Sequence, residues 1–356
     1  MKKSKSIWNK GLIYKAIGLI IVVISSIMGI NLNETSNSSE YSKPISKKNI
    51  RIANYNVENL FDTKKSGKEY KEYIPSAKNW NEKMYKIKLK NSVKVIKDLN
   101  ADILSLQEIE NKNVLLELKR ELKIYPYFSI SKTNSVIKCA ILSKYPITKT
   151  HDIRSKNKRA KRTILEAHIK INNHNLILFV NHWKSKRGPE KRRIDYAKAL
   201  KERLNKLTSK DEFILIGDFN SNYNEFKTFK QNRKLNNTKG ITGINHILKT
   251  IKNNKLITRN ELKDDYLYNL WLELPVEQRF SHRFFDELNT LDNIILPANM
   301  FDNKKLEYVN KSFDVFDASY LIEKNGRIKR WWIRRGIHKG EGFSDHLPIY
   351  ADFEVL

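Results

Sequence analysis

Residues 212–220 read EFILIGDFN. Phe213 to Ile216 form an apolar run of strand length, and such a run suits a strand buried in a core. It ends at Gly217 in Asp218, Phe219 and Asn220. A carboxylate at the end of a buried strand is costly unless it is paired, hydrogen-bonded or bound to a cation. The stretch therefore predicts a core strand that delivers an acid and an amide to a cleft.

The same design recurs along the chain. IRIANYNV (50–57) carries Asn54 and Asn56 and runs into Glu58, and ADILSLQEI (101–109) carries Gln107 and Glu108. NLILFVNHW (175–183) ends in Asn181 and His182, LDNIILP (291–297) opens on Asp292, and HLPIYADFEV (346–355) is preceded by Asp345 and begins with His346. KCAILSKYPI (138–147) and TILEAHIKI (163–171) read as further strands. One such polar residue is an ordinary strand cap. Six sets of Asn, Gln, Asp, Glu and His at strand ends predict a shared site. Helical spacing of apolar residues runs from Lys83 to Leu99, and again from Glu190 to Leu207 behind Pro189, a favourable helix opener. Strands and helices mixed within one domain predict α/β or α+β layers. Residues 221–263 are rich in Asn and Lys with weak periodicity, which predicts an excursion of short helices and loops.

The chain has 356 residues, with 68 Lys plus Arg against 39 Asp plus Glu, a formal charge of +29. That excess favours polyanionic or phosphorylated partners, although lysines spread over the surface also serve simply as solvated face. Cys139 is the only cysteine, which excludes an internal disulfide and a cysteine-built zinc centre. At the N-terminus Lys2, Lys3, Lys5, Lys10 and Lys15 flank an apolar run from Ala16 to Ile30. A basic segment followed by a short apolar one is the form of an export signal, cleaved or retained as an anchor. The expected organisation is a signal peptide or membrane anchor over 1–32, a polar linker over 33–48 and a catalytic domain over 49–356. The body is then exported: secreted, periplasmic or held on the outer side of the membrane.

Oxygen-rich residues with two imidazoles suit a hard cation such as Mg²⁺ or Mn²⁺. A Ser-His-Asp arrangement of Ser344, His346 and Asp292 lacks the G-x-S-x-G elbow of a serine hydrolase. The stretches NYNVENLFD (54–62), SLQEIEN (105–111), VNHWKSKRG (180–188), IGDFNS (216–221), LDNIIL (291–296) and FSDHLPIY (343–350) together resemble the endonuclease/exonuclease/phosphatase superfamily, in its deoxyribonuclease-like, exported bacterial-type branch. The resemblance implies a four-layered α/β/β/α sandwich with two packed mixed sheets between helices. It also implies a metal-dependent phosphodiesterase. Asn56, Glu108 and Asp345 match the metal positions. Asp218 and Asn220 match the pair that orients the attacking water and the phosphate, and Asp292 and His346 match a buried Asp–His pair. His182 matches the second histidine, a candidate general acid. Either Asp218 or His346 can serve as the base.

Substrate-facing candidates are Glu58, Arg162, Lys184, Lys186 and Arg187, with Trp331 and Trp332 in the basic stretch RIKRWWIRRGIHK (327–339). A second basic cluster, SKNKRAKR, spans 155–162. Basic residues with interleaved aromatics suit a nucleic-acid backbone, DNA ahead of RNA. The rivals are a sphingomyelinase-like or inositol-phosphate hydrolase and a non-catalytic nucleic-acid-binding module. Membrane attachment is expected only through the N-terminus, and nothing calls for an obligate protein partner.

Overall fold

The computed structural model describes residues 48–263 and 265–356. The N-terminal segment expected to direct export and the expected linker before Lys48 lie outside the described residues. Lys48 itself opens the first strand.

Two parallel strand pairs organise the domain, one in each of two mixed sheets. In the first sheet β1 (Lys48–Leu60) runs parallel to β2 (Ile103–Ile109), and β4 (Lys138–Ser143) and β3 (Tyr127–Ile130) continue outward from β2. On the other side of β1 lie the antiparallel strands Ile349–Val355 and Leu306–Tyr308, with Asp314–Val315 also on Ile349–Val355. In the second sheet β7 (His174–His182) runs parallel to β8 (Glu212–Asp218). Outward from β7 come β6 (Ile164–Ile171) and β5 (Ile147–Ile153), and beyond β8 come Asp292–Leu296 and Tyr268–Asn269. Parallel neighbours need a crossover, and each pair has a helix in its crossover. α1 (Glu82–Leu99) joins β1 to β2, and α3 (Lys191–Leu204) joins β7 to β8. α2 (Lys112–Leu122) follows β2 and was not foreseen from sequence. It starts where Asn111 accepts a hydrogen bond from the Val114 amide at 3.0 Å and buries Val114, Leu115, Leu118 and Leu122. The expected excursion after Ser221 contains a four-residue helix, a short π-turn, a two-stranded hairpin and a single 3-10 turn (Arg259–Glu261) before Lys263.

Side-chain alternation then decides what faces the space between the sheets. On β7, Leu176, Leu178 and Val180 join the core shared by both sheets, while Ile177 and Phe179 join the outer cluster with Ala197 and Leu200 of α3. On β8, Ile214 and Ile216 face inward and Phe213 and Leu215 outward. Ile294 and Leu296 likewise belong to the shared core. Continuing that parity turns His182, Asp218 and Asp292 toward the first sheet. Asn54 and Asn56 share the parity of Ile50 and Ile52, which also lie in the shared core. The polar strand ends therefore meet at one edge of the sandwich.

Candidate active site

Register brings the second sheet's residues into line, with His182 opposite Asp218 on the parallel pair and Asp218 opposite Asp292 on the antiparallel one. Gly217 makes this approach feasible. Its φ is +132°, and a Cβ there would stand 2.2 Å from the Asn181 carbonyl oxygen.

Asp292 is fully buried, and every contact it makes is a hydrogen bond of good length. Its Oδ1 accepts from Asn54 Nδ2 at 3.0 Å, and its Oδ2 accepts from Ser281 Oγ at 2.7 Å and meets His346 Nδ1 at 2.7 Å. Ser105 and Gln107 donate to Asn54 Oδ1 and so fix its amide orientation. Burial opposes charge on His346, but Asp292, Asp345 and Asp218 hold its pKa well above the usual imidazole range. The expected Asp292–His346 pair is thus formed, with the imidazole charged.

Asp218 accepts at Oδ2 from Asn56 Nδ2 at 3.2 Å and Asn220 Nδ2 at 2.9 Å, and at Oδ1 from the Asn220 amide at 2.7 Å. Burial pushes its carboxyl up to about 7, aided by Asp292 and Glu108 and opposed by His346. His182 Nε2 lies 3.5 Å from both Glu108 Oε1 and Asp218 Oδ2, while its Nδ1 is buried without a hydrogen-bond partner. Burial, Arg162 and His346 hold the His182 pKa well below the ordinary value. His182 is therefore neutral where His346 is charged. That setting disfavours the protonated imidazole and so argues against the general-acid role expected for His182.

Asn56 and Glu108 are hydrogen-bond neighbours, and Glu108 is pushed up by burial and by the charge of Asp345. Among the described residues no Lys or Arg forms a salt bridge to Glu108. At Glu108 the charges of Arg162 and His346 offset burial and the repulsion of Asp345 only in part; amide and carboxylate oxygens in such a setting fit a hard dication, so Asn56, Glu108 and Asp345 satisfy the donor chemistry for Mg²⁺ or Mn²⁺.

Other candidates are redistributed. Glu58 is buried and already committed: Arg330 ion-pairs with it, and the Trp331 amide donates to its Oε2 at 3.1 Å. It neither completes the metal set nor contacts substrate in this arrangement. Trp331 is 1 % exposed and donates Nε1 to His338 Nδ1 at 2.8 Å, so it is core and not a stacking platform. Trp332, its neighbour, is 45 % exposed. Lys186 is tied to the buried Glu225 at 2.8 Å, which removes it from the phosphate-binding candidates. Lys184 and Arg187 remain available, and Arg162, Lys184, Arg187 and Arg192 form a positive cluster whose mutual repulsion, after burial, lowers the Lys184 pKa. The loop holding them is pinned by buried Arg193, which donates Nη1 to the carbonyls of Lys184, Ser185 and Gly188. Arg162 donates to the Trp183 carbonyl and lies beside Glu108 and Tyr70.

Two participants escaped the sequence reading, and a third, Arg330, was read only as part of the basic stretch 327–339. Arg330 pairs with Glu58 and approaches Asp345 Oδ2 at 3.5 Å, and it comes close because Gly342, at φ +86°, lies against the Arg330 carbonyl. Lys88 of α1 is buried under Trp331, 4.8 Å from its ring centroid, and faces Glu58. The His282 ring lies 4.8 Å from the His346 ring, tilted by 51°. The histidine carried no local signal, since Ser281 and Arg283 flank it in FSHRF.

Residues 51–355 match the model of the endonuclease/exonuclease/phosphatase family. No curated protein matches the sequence. Among solved structures, humanised TDP2 of Danio rerio superposes with a TM-score of 0.55 at 14 % identity, covering 86 % of this chain and 98 % of that one. A family protein from Bacteroides thetaiotaomicron gives 0.55 at 14 % identity over 87 % and 99 % of the two chains. The human Nocturnin catalytic domain gives 0.51 at 15 % identity over 87 % and 98 %. At such identities these likenesses concern the fold.

Proposed function

Because the chain belongs to the endonuclease/exonuclease/phosphatase family and is a metal-dependent phosphoester hydrolase, we propose that it is an exported nuclease cleaving the phosphodiester bonds of DNA. The observation that carries this reading is the charge division at the sheet edge: Asp218 poised near neutrality, His346 charged and His182 neutral, within one hydrogen-bonded group.

Asp218 is the water activator. A base whose pKa sits near the working pH combines availability with proton affinity, and the two Asn220 contacts aim its carboxylate. His346, held by Asp292, presents Nε2 as a charged donor toward the phosphate and the departing oxygen. His182 is a neutral partner for a non-bridging oxygen. Asn56, Glu108 and Asp345 would hold Mg²⁺ or Mn²⁺, which when bound supplies charge neutralisation for the phosphate.

DNA is favoured by the loop after β5. Lys158, Arg159 and Lys161 are exposed there and lead directly to Arg162 at the site. The positive cluster around Lys184 extends the same path. Export rests on the basic and apolar N-terminal segment. A lipid phosphodiester is the second reading, because the hairpin that begins at His282 exposes Phe284, Phe285 and Leu288 beside the site. Purified protein given plasmid DNA, RNA, sphingomyelin and inositol phosphates, each with Mg²⁺ or EDTA, decides between them. DNA is expected to be cut only with Mg²⁺. Intact DNA beside turnover of a lipid or inositol phosphate would overturn the nuclease reading.

A further inference from the structure

Next to the oxygen donors stands a group of different chemistry. The strand His282–Phe284 meets the loop after Gly342 through an isolated antiparallel bridge between His282 and His346. The Leu347 amide donates to the Ser281 carbonyl at 2.7 Å and fixes the same junction. One ligand atom each from His282, Asp345 and His346 lies within 4.8 Å of the others. His282 Nε2 is 3.9 Å from Asp345 Oδ2, and His346 Nε2 is 3.9 Å from Asp345 Oδ1. These separations are too long for hydrogen bonds. His282 Nδ1 is buried and has no partner.

We propose that His282, Asp345 and His346 form a binding site for an imidazole-seeking transition-metal ion of the Zn²⁺ or Co²⁺ class. Two imidazoles and a carboxylate are the donor set of such ions, whereas Mg²⁺ prefers oxygen and water. Metal–ligand bonds of roughly 2.0–2.2 Å around a tetrahedral centre place ligand atoms about 3.4 Å apart, so this trio, whose ligand atoms lie up to 4.8 Å apart, closes by as much as about 1.4 Å on binding. His346 carries the supporting contact that metal-binding histidines use: Asp292 takes Nδ1 at 2.7 Å, and the ion displaces the Nε2 proton to solvent, making Nε2 the ligand face. Asp292 is in turn anchored by Ser281, the residue before His282, and by Asn54. The site shares Asp345 with the oxygen set and takes His346 away from phosphate. Its occupant is therefore an inhibitor of Mg²⁺-supported turnover.

Co²⁺ titrated into the purified full chain, followed by its visible d–d bands, tests this without turnover. Wild-type protein is expected to take up one ion with the intense bands of a four- or five-coordinate centre. His282→Phe should weaken that binding by about 100-fold, the upper range for losing even an outer-shell partner. Relative to its own zinc-free rate, the same variant should resist inhibition of Mg²⁺-supported hydrolysis by Zn²⁺. X-ray absorption of the zinc-loaded wild-type protein needs no variant and should count two imidazoles. Unchanged Co²⁺ binding in His282→Phe, an uncoloured wild type, or fewer than two imidazoles would each overturn the site. Lack of hydrolysis on every phosphoester with Co²⁺ binding intact would defeat only the hydrolase reading.

Discussion

Glu58 and Glu108 stand at equivalent points of neighbouring parallel strands, and the fold uses them in opposite ways. Both occur where β1 and β2 lose regular pairing, and both have left-handed backbone, at φ +52° and +67°. Glu58 is enclosed by Arg330, the Trp331 amide and buried Lys88. Glu108 keeps 16 % of its side chain exposed and faces His182, Asn56 and the charge of Asp345. One carboxylate is consumed in holding the 327–339 segment against the sandwich. The other stays raised by burial and Asp345 even with Arg162 and His346 opposing them, a condition a dication relieves. Position in a strand thus says little about role until the cations around it are known.

The sharpest way to break this contrast lies with the acid that Glu108 faces across His182. Asp218→Asn keeps the size of the group but cannot accept a proton, and kcat/KM should fall by about 10²–10⁴, read by initial rates on plasmid DNA. A fall under tenfold would remove Asp218 from the role of base. The wild-type pH profile sharpens the same point. Burial raises the Asp218 carboxyl to about 7, so the active ionised form is lost as pH falls through that value. kcat/KM should therefore rise with pH below the inflection and level off above it. A bound dication can only lower the inflection, so one well above 7 would contradict the assignment.

Stability should separate the two glutamates with opposite signs. Glu58→Gln leaves Arg330, 57 % exposed, with only Asp345 at 3.5 Å as counter-charge and removes an acid facing buried Lys88, so Tm should fall modestly. Glu108→Gln removes repulsion with Asp345 and should hold or raise Tm, as expected where a site trades stability for function. Calorimetry showing the reverse order would mean that the two environments have been misread. The smallest effects concern the loop after His182. Lys184→Ala and Arg187→Ala should each reduce the salt slope of DNA binding by about one, whereas Lys186→Ala should leave it unchanged.

Much of the site was legible in sequence because period-two alternation carries a buried strand's parity to its last residue. Asn56, His182, Asp218 and Asp292 were found by where apolar runs stop. The Asp292–His346 pair came through the family resemblance, since 54 residues separate its members. What escaped depends on distant chain segments. Arg330 reaches Glu58 across 272 residues and His282 reaches His346 by one bridge outside the main sheets, and neither contact has a local pattern. Trp331 and Trp332 show the same limit: adjacent residues in a basic stretch, one sealed against His338 and the other exposed. Lys186 looked free because its partner, Glu225, lies beyond the next strand. Helix α2 is a different kind of miss. Its Asn111 cap and the 114, 115, 118, 122 spacing are local, and eleven residues between two strands are easily taken for a loop.

The most direct test titrates Mg²⁺ against DNA cleavage by wild-type, Glu108→Gln and Glu58→Gln proteins side by side. Glu108→Gln should need about 10–100-fold more Mg²⁺ for half-maximal rate, while Glu58→Gln should follow the wild-type curve below its lowered Tm. Equal Mg²⁺ requirements in wild type and Glu108→Gln, or a shift confined to Glu58→Gln, would contradict the placement of the metal and of the catalytic centre built around it.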